Sequence, residues 1–324
     1  MNTETSYLGL KLKNPLIVGS CGLTNSVENI KELADNGAAA VVLKSIFEEE
    51  ILTEYFATIK NAHPDELNYL DYYDYKIKQN NVQKYIDLIK NAKKAVDIPI
   101  IASINCTSSH EWTYFTEKIE EAGADALELN IFMMPYLKDK TGTDNENIYF
   151  DIIEKVKSKV NIPVSVKMSH YFSNLGRFIE RLSEKVDGLV LFNRFYSPDF
   201  DIDNEEIYAG HIYSSKFEMH IPLRWIAMTY GHLKSSIAAS TGIHSGADVI
   251  KMLLAGADAT EIVTTLYQHG PEKIKSMLGE LEDYMKKHNY TGIKDFKGKL
   301  SLKKAENPSA FYRVQFMKYS DFEK

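Results

Sequence analysis

The chain has 324 residues, 44% of them hydrophobic and 26% charged, with a net charge of −7. The hydrophobic share suffices for a large core, and the acidic balance argues against a nucleic-acid partner. Its two cysteines, Cys21 and Cys106, make no disulfide framework and read as free thiols of a reducing compartment.

Met1 is followed by no basic-then-apolar segment, so no signal peptide is read. No apolar run reaches the ~18 residues of a membrane span, and a soluble cytoplasmic protein is expected. Tyr7–Asn14 alternates weakly, which predicts a small hairpin before the first strand, Pro15–Gly19. Val27, Ile30 and Leu33 share a helix face. Gly37 ends that helix and opens a second strand, Ala39–Lys44; Gly just past a helix tolerates the turn that stops it.

A long connection, Phe47–Asn81, follows and carries Tyr55, Tyr69, Tyr72, Tyr73 and Tyr75. Asp97-Ile98-Pro99 starts the third strand, Pro99–Asn105, where a first-position Pro loses no ladder hydrogen bond. Ser108–Glu111 has capping-box spacing ahead of a helix whose Trp112, Phe115 and Ile119 share a face. Gly123 stops it and Ala126–Asn130 is the fourth strand. Asn161-Ile162-Pro163 repeats the proline entry into the fifth, Pro163–Met168.

Leu175, Phe178, Ile179 and Leu182 give the next helix one apolar face, and Gly188–Asn193 is the sixth strand. A second long connection, Phe195–Ile221, carries Tyr196, Tyr208, Tyr213 and two histidines. Ser236–Ser240 is the seventh strand, with a helix beginning near Ser245. Gly256 leads into the eighth, Thr260–Thr264. Gly270-Pro271-Glu272 opens a long helix to about Asn289. Lys294, Lys297, Lys299, Lys303 and Lys304 form the one basic run and read as a solvated face.

Eight strands with helices between them predict one (β/α)8 TIM barrel spanning residues 1–324, with the hairpin at its floor and the two long βα loops as lids. An open doubly wound sheet fits less well, because no Gly-x-Gly-x-x-Gly follows an early strand.

Most of these strands run into a polar residue. Ser20, Lys44, Asn105, Asn130, Lys167, Asn193, Thr241 and Thr264 would then ring the barrel mouth, the side where such barrels carry their sites. No His-Cys-carboxylate cluster accompanies them, so no metal is expected. Ser240-Thr241-Gly242 and Thr264-Thr265 suit a phosphate, since small residues expose backbone N–H groups. Each residue also has a plainer role. A strand-end Asn can satisfy loop carbonyls, and a strand-end Lys can pair with a carboxylate such as Glu128. A lysine buried at the mouth nonetheless needs an anion against its desolvation.

Tyr7-Leu8-Gly9-Leu10-Lys11-Leu12-Lys13-Asn14-Pro15-Leu16, Leu127-Glu128-Leu129-Asn130, Pro163-Val164-Ser165-Val166-Lys167, Gly270-Pro271 and Gly292-Ile293-Lys294-Asp295-Phe296-Lys297-Gly298-Lys299-Leu300 resemble the dihydroorotate dehydrogenase family of FMN-binding barrels. The resemblance spans nearly the whole chain. It implies FMN as cofactor, with Ser20, Lys44 and Ser45 near the flavin ring, Asn105 and Asn130 bonding ring or substrate, and Lys167 at its N1/O2 edge. It further implies Asn193 reaching the substrate, and Thr241, Gly242 and Thr264 holding the phosphate. It implies hydride transfer between a dihydropyrimidine-like CH–CH substrate and flavin N5. Pyrimidine biosynthesis follows if dihydroorotate is that substrate. The enzymes it resembles often pair as dimers, so a homodimer is expected.

The departures are specific. Where the family has a Cys or Ser base after the fourth-strand Asn, this chain has Met133, and a thioether takes no proton. Where the family has an orotate-binding Asn-Ser-Met-Gly-like segment, it has the tyrosine-rich Asn68–Tyr75. Cys106, His110, Tyr136 and Tyr196 are substitute proton carriers, each with a plainer role as strand-end filler, helix start or pocket lining. Gly188–Tyr196, Pro222–Ile226 and the tail Asn307-Pro308-Ser309-Ala310-Phe311 resemble a divergent branch of the family. Two other readings stay open: a flavoprotein with another substrate or no turnover, and a non-flavin barrel lyase using Lys167 as a Schiff-base amine.

Overall fold

A computed structural model describes residues 1–47, 70–106, 112–136, 138–306, 308 and 311. The Ser108–Glu111 cap signal with His110, the lid tyrosines Tyr55 and Tyr69, and Asn307, Ser309 and Ala310 of the tail lie outside the described residues, as do the side chains of Tyr72, Tyr73, Tyr75, Cys106 and Trp112.

The expected hairpin is β1 (Thr5–Tyr7) against β2 (Leu10–Leu12), antiparallel. Then come β3 (Leu16–Val18), α1 (Val27–Asp35), β4 (Ala40–Val42) and β5 (Ile46–Phe47), followed by α2 (Leu70–Ala95), β6 (Ile100–Cys106) and α3 (Trp112–Glu121). The chain continues through β7 (Ala126–Ile131), α4 (Gly142–Lys157), β8 (Val164–Met168), α5 (Leu175–Ser183) and β9 (Gly188–Leu191). After β10 (Ser197–Asp201) and β11 (Glu206–Gly210) come α6 (His220–Thr229), β12 (Ser236–Ser240), α7 (Gly246–Ala255) and β13 (Ala259–Ile262). Two helices, α8 (Thr264–His269) and α9 (Lys273–Lys287), follow.

β3, β4, β6, β7, β8, β9, β12 and β13 pair in parallel, each with the next, and β13 returns to β3. Eight parallel strands thus close a barrel, as the strand count predicts. β5 continues along β6 beyond β4. The helix-ending glycines sit where an L side chain is strained: Gly37, Gly123 and Gly256 have φ of 106°, 92° and 125°.

Side chains alternate across each strand, so every second residue faces the barrel axis. Ile17, Ala40, Val42, Ile101, Ala126, Val190, Ala238 and Ala259 form one small-residue cluster with Tyr7, Leu8 and Leu12 of the hairpin. The hairpin is the floor. Leu8 N–H donates to Ser236 Oγ at 3.0 Å and Thr5 Oγ1 to the Asp258 carbonyl at 2.8 Å, both at strand entrances. Gly188 is needed there, since a Cβ on it would stand 2.4 Å from Leu8 Cδ2. Outward-facing residues pack on the helices: Ile30 and Leu33 of α1, and Leu175, Phe178, Ile179 and Leu182 of α5, are all buried.

Several boundaries differ from the sequence reading. The first long connection ends at Leu70, because α2 begins there. Its Val82, Tyr85, Ile86, Ile89 and Ala92 form a buried helical stripe. The second connection is not one loop: β10 and β11 form a hairpin inside it, turned by Asp201, whose Oδ1 accepts from the N–H groups of Asp203 and Asn204. The sixth strand stops at Leu191, leaving Asn193 just beyond it. The eighth stops at Ile262, so Thr264 opens α8 instead of ending a strand. The long last helix spans Lys273–Lys287, short of Asn289. Among the described residues no helix is long and apolar enough to cross a membrane.

Candidate functional site

The eight residues of the sequence ring come together at the carboxyl edge of the barrel. Asn105 on β6 stands beside Asn130 on β7, and Asn130 beside Lys167 on β8, each pair in ladder register. Asn193 Nδ2 donates to Asn130 Oδ1, and Asn193 Oδ1 accepts from Arg194 N–H at 2.9 Å. Both amides are thereby fixed in orientation. Asn105 is buried, and its Oδ1 has no hydrogen-bond partner among the described residues. A buried acceptor without a donor is unusual in a folded protein and marks a place for one.

Ser20, after β3, and Ser45, after β4, belong to a hydroxyl row. Ser20 Oγ lies 3.0 Å from Ser45 Oγ, which lies 2.7 Å from Ser103 Oγ. Ser45 N–H also donates to Ser20 Oγ at 2.9 Å. The row is held by Tyr85 of α2, whose hydroxyl accepts from Ser103 N–H at 2.8 Å and donates to the Ser103 carbonyl at 3.2 Å. Tyr85→Phe removes that acceptor from a buried N–H, so a loss of about 1–3 kcal/mol is expected. Urea unfolding checks it, and wild-type stability would mean that Ser103 is held by other contacts. Lys44 lies half-buried between Leu43 and Ser45.

Lys167 is buried, and its Nζ lies 2.6 Å from Glu261 Oε2 on β13 and 3.8 Å from Glu128 Oε1 on β7. Burial alone would push the ammonium down, but the two carboxylates outweigh it and hold Lys167 above its ordinary value. Burial pushes the Glu128 carboxyl well above the usual range, the Glu261 charge adds to this, and Lys167 opposes both. The plain partner expected for Lys167 was Glu128; Glu261 is nearer, and the ring reading omitted it. The sequence shows Glu261 as a lone carboxylate among strand residues, but not that it reaches Lys167.

On the far side of the mouth, Thr241 Oγ1 donates to the Phe192 carbonyl at 3.1 Å, and Gly242 has φ of 77°. Thr264 Oγ1 accepts from both Ser214 N–H, at 3.2 Å, and Ser214 Oγ, at 3.0 Å. Ser214 Oγ is also 3.3 Å from His244 Nε2. Burial holds the His244 ring below its ordinary value, against the Asp248 charge. Ser214 and His244 were not read from the sequence, since Ser214 arrives on the return of the β10–β11 hairpin. Arg194 anchors that return: it pairs with Glu218 at 2.7 Å and donates to the carbonyls of His211, Ile212 and Tyr213.

Phe132, two residues past Asn130, stacks on Phe195, two past Asn193, with ring centroids 3.9 Å apart. Tyr171 lies against Phe195, and His170 contacts both Tyr171 and Phe192. These rings wall the mouth beside the paired asparagines. Of the substitute proton carriers, Tyr136 is 75% exposed and Tyr196 60% exposed. Met133 packs against the core. Cys21 is half-buried with its thiol pushed up by burial. Among the described residues no group of three or more His, Cys, Asp or Glu is placed to hold a metal.

A family model described as dihydroorotate dehydrogenase matches residues 2–285. A relative from Thermoplasma volcanium, named dihydroorotate dehydrogenase B (NAD(+)), catalytic subunit, is 30% identical over 91% of this chain and 97% of its own. The protein of the same name from Pyrococcus abyssi is 29% identical over 93% of this chain and 99% of its own. A chloroplastic dihydropyrimidine dehydrogenase (NADP(+)) from Arabidopsis thaliana is 23% identical over 90% of this chain and 75% of its own.

Proposed function

The chain belongs to the dihydroorotate dehydrogenase family, and from that premise we propose an FMN-dependent oxidoreductase acting on the CH–CH bond of a dihydropyrimidine-like substrate. The observation that carries this reading is the buried Lys167 in ladder register with Asn130 and, through it, Asn105. When bound, FMN would supply the hydride chemistry at its N5 atom.

The residues present fit that group. Asn105 Oδ1 is a buried acceptor without a donor among the described residues, which a ring N–H would supply. Lys167 would supply an ammonium near the pyrimidine edge of the ring, where negative charge collects on reduction. Ser20, Lys44 and Ser45 would border the ring from the first two barrel strands. Thr241, Gly242 and Thr264 would hold the phosphate, since small residues there leave backbone N–H groups open to an anion. Asn130 and Asn193, each fixed by the other, would orient the substrate by its polar edge. The aromatic wall of Phe132, Phe195 and Tyr171 would keep water from the reacting carbon.

Proton transfer is the part this chain does differently. Met133 stands where the family has its base, so dihydroorotate lacks the usual acceptor for its proton. A divergent substrate, or no turnover, is therefore the second reading. The lyase reading is weaker: a Schiff-base lysine must present a neutral amine, and Glu261 at 2.6 Å keeps Lys167 protonated. Anaerobic mixing of the FMN-loaded protein with dihydroorotate and with dihydrouracil tests the proposal. Bleaching of the flavin by either supports it, and none by any dihydropyrimidine favours the reading without turnover.

Met133→Cys restores a proton acceptor, and reduction by dihydroorotate should speed up at least about tenfold, since general bases supply roughly 10²–10⁴. No gain, with orotate failing to perturb the flavin spectrum, would mean a pocket rebuilt for another molecule. The proposal carries with it a cytoplasmic location and a homodimer, read out by fractionation and by sedimentation.

A further inference from the structure

Glu261 lies one inward position below the mouth, in line with the Lys167 ammonium. A Cβ on Gly19 would stand 3.2 Å from Glu261 Oε2, so the carboxylate also lies directly against the end of the first barrel strand, next to Ser20. Glu128 and Glu261 are 1% and 2% exposed and face the same lysine. The Tyr7 hydroxyl and Ser165 Oγ are likewise buried in the barrel interior, and the Tyr7 hydroxyl feels the charges of both glutamates. The interior of the barrel is thus a polar column from Tyr7 at the floor to Lys167 at the mouth.

We propose that Glu261 is the positioning residue of the cofactor site: it fixes the Lys167 ammonium and cancels most of its charge, so the site favours a reduced flavin less than an unpaired lysine would. This rests on the FMN reading above.

One buried ammonium balances one buried carboxylate. A second ionised carboxylate in the same dry space would stand uncompensated, so one of the two keeps a proton. Distance decides which. Glu261, at 2.6 Å, makes a charge-assisted hydrogen bond; Glu128, at 3.8 Å, is beyond hydrogen-bonding reach. The rise of the Glu128 carboxyl through burial and the Glu261 charge agrees with that assignment. The other titratable groups facing the cluster, Tyr7 from β1 and Cys21 beyond β3, are pushed up by burial and stay neutral at pH 7. The group beneath the ring is therefore a neutral pair plus a neutral acid. When FMN is bound, the lysine would face the negative charge of the reduced ring already compensated by Glu261.

The test compares FMN-loaded wild type with Glu128→Gln, Glu261→Gln and the double variant. The readouts are the midpoint potential, by equilibration with reference dyes, and the affinity for sulfite, which adds to the ring and leaves the same charge. Glu128→Gln replaces a neutral acid by a neutral amide and should move neither. The double variant should shift the equilibrium toward reduced flavin at least tenfold, about 30 mV for a two-electron couple, and bind sulfite at least tenfold more tightly. Glu261→Gln alone should shift less, because Glu128 can release its proton and take over. If the double variant does not fold, Glu261→Asp combined with Glu128→Gln keeps one charge but shortens its reach, and sulfite should again bind more tightly than to wild type. An unchanged potential and sulfite affinity in the double variant, or in Glu261→Asp combined with Glu128→Gln, overturns the proposal. So does a Glu128→Gln shift as large as that of the double. Failure of the wild type to take up FMN would instead overturn the cofactor reading, so the two failures are separable.

Discussion

Lys167→Ala is expected to lose FMN on gel filtration that the wild type retains, and to unfold about 3–5 kcal/mol more easily at neutral pH. The stability term follows from breaking a buried pair on one side. Glu261 and Glu128 would remain, both buried, with no ammonium near them, and removing one partner of such a pair typically costs that much. The sign of its pH dependence is fixed. Lys167 is one of the influences that lower the Glu128 carboxyl, so its removal lets Glu128 hold its proton to still higher pH. A group whose folded pKa is raised contributes stability below its unfolded pKa, about 4.3 for Glu, and loses it as pH rises. The gap between variant and wild type should therefore be small near pH 4 and widen toward pH 8. Urea unfolding at both values checks this. A gap that does not change with pH would mean the lost packing of the lysine stem, not its charge, is responsible. Any FMN still held by the variant should be harder to reduce.

Gly242→Ala is expected to cost about 2–6 kcal/mol and to weaken FMN retention at least tenfold. Gly242 has φ of 77°, and a Cβ there would lie 2.5 Å from Met219 N and 2.9 Å from Met219 Cα. Neither atom can swing aside, because both belong to the backbone entering α6. The left-handed conformation contributes about 1–3 kcal/mol, and the overlap about as much again. Either the Thr241–Gly242 turn moves outward or α6 moves away, and in both cases the proposed phosphate loop loses its shape. Thermal unfolding and FMN titration read the two effects. Wild-type values in both would mean that this turn neither packs nor binds as described.

The barrel was legible in the sequence because its cues are local. A glycine that stops a helix and a proline that opens a strand each act within a few residues, and Gly37, Gly123 and Gly256 indeed take positive φ. The strand-end ring was legible for the same reason: once eight strands point one way, their last residues share a rim. What stayed hidden depends on pairing across the fold. Glu261 meets Lys167 across the barrel, 94 residues earlier in the chain, and no spacing rule reaches that far. Glu128 was visible as a neighbour of the ring, but only distance ranks it behind Glu261. The start of α2 was obscured by its tyrosines, which favour helices weakly; among the described side chains its buried stripe starts at Val82. The β10–β11 hairpin was missed because it buries no apolar face, with Phe200, Ile207 and Tyr208 all exposed, leaving no two-residue hydrophobic period to read. Ser214 and His244 join Thr264 only through that hairpin's return.

The absorption spectrum and mass of whatever small molecule leaves the purified protein on denaturation test the account most directly. A yellow protein with a band near 450 nm that releases riboflavin phosphate, and that Lys167→Ala leaves pale, is the result expected. A colourless wild-type protein that stays colourless after incubation with excess riboflavin phosphate would contradict it.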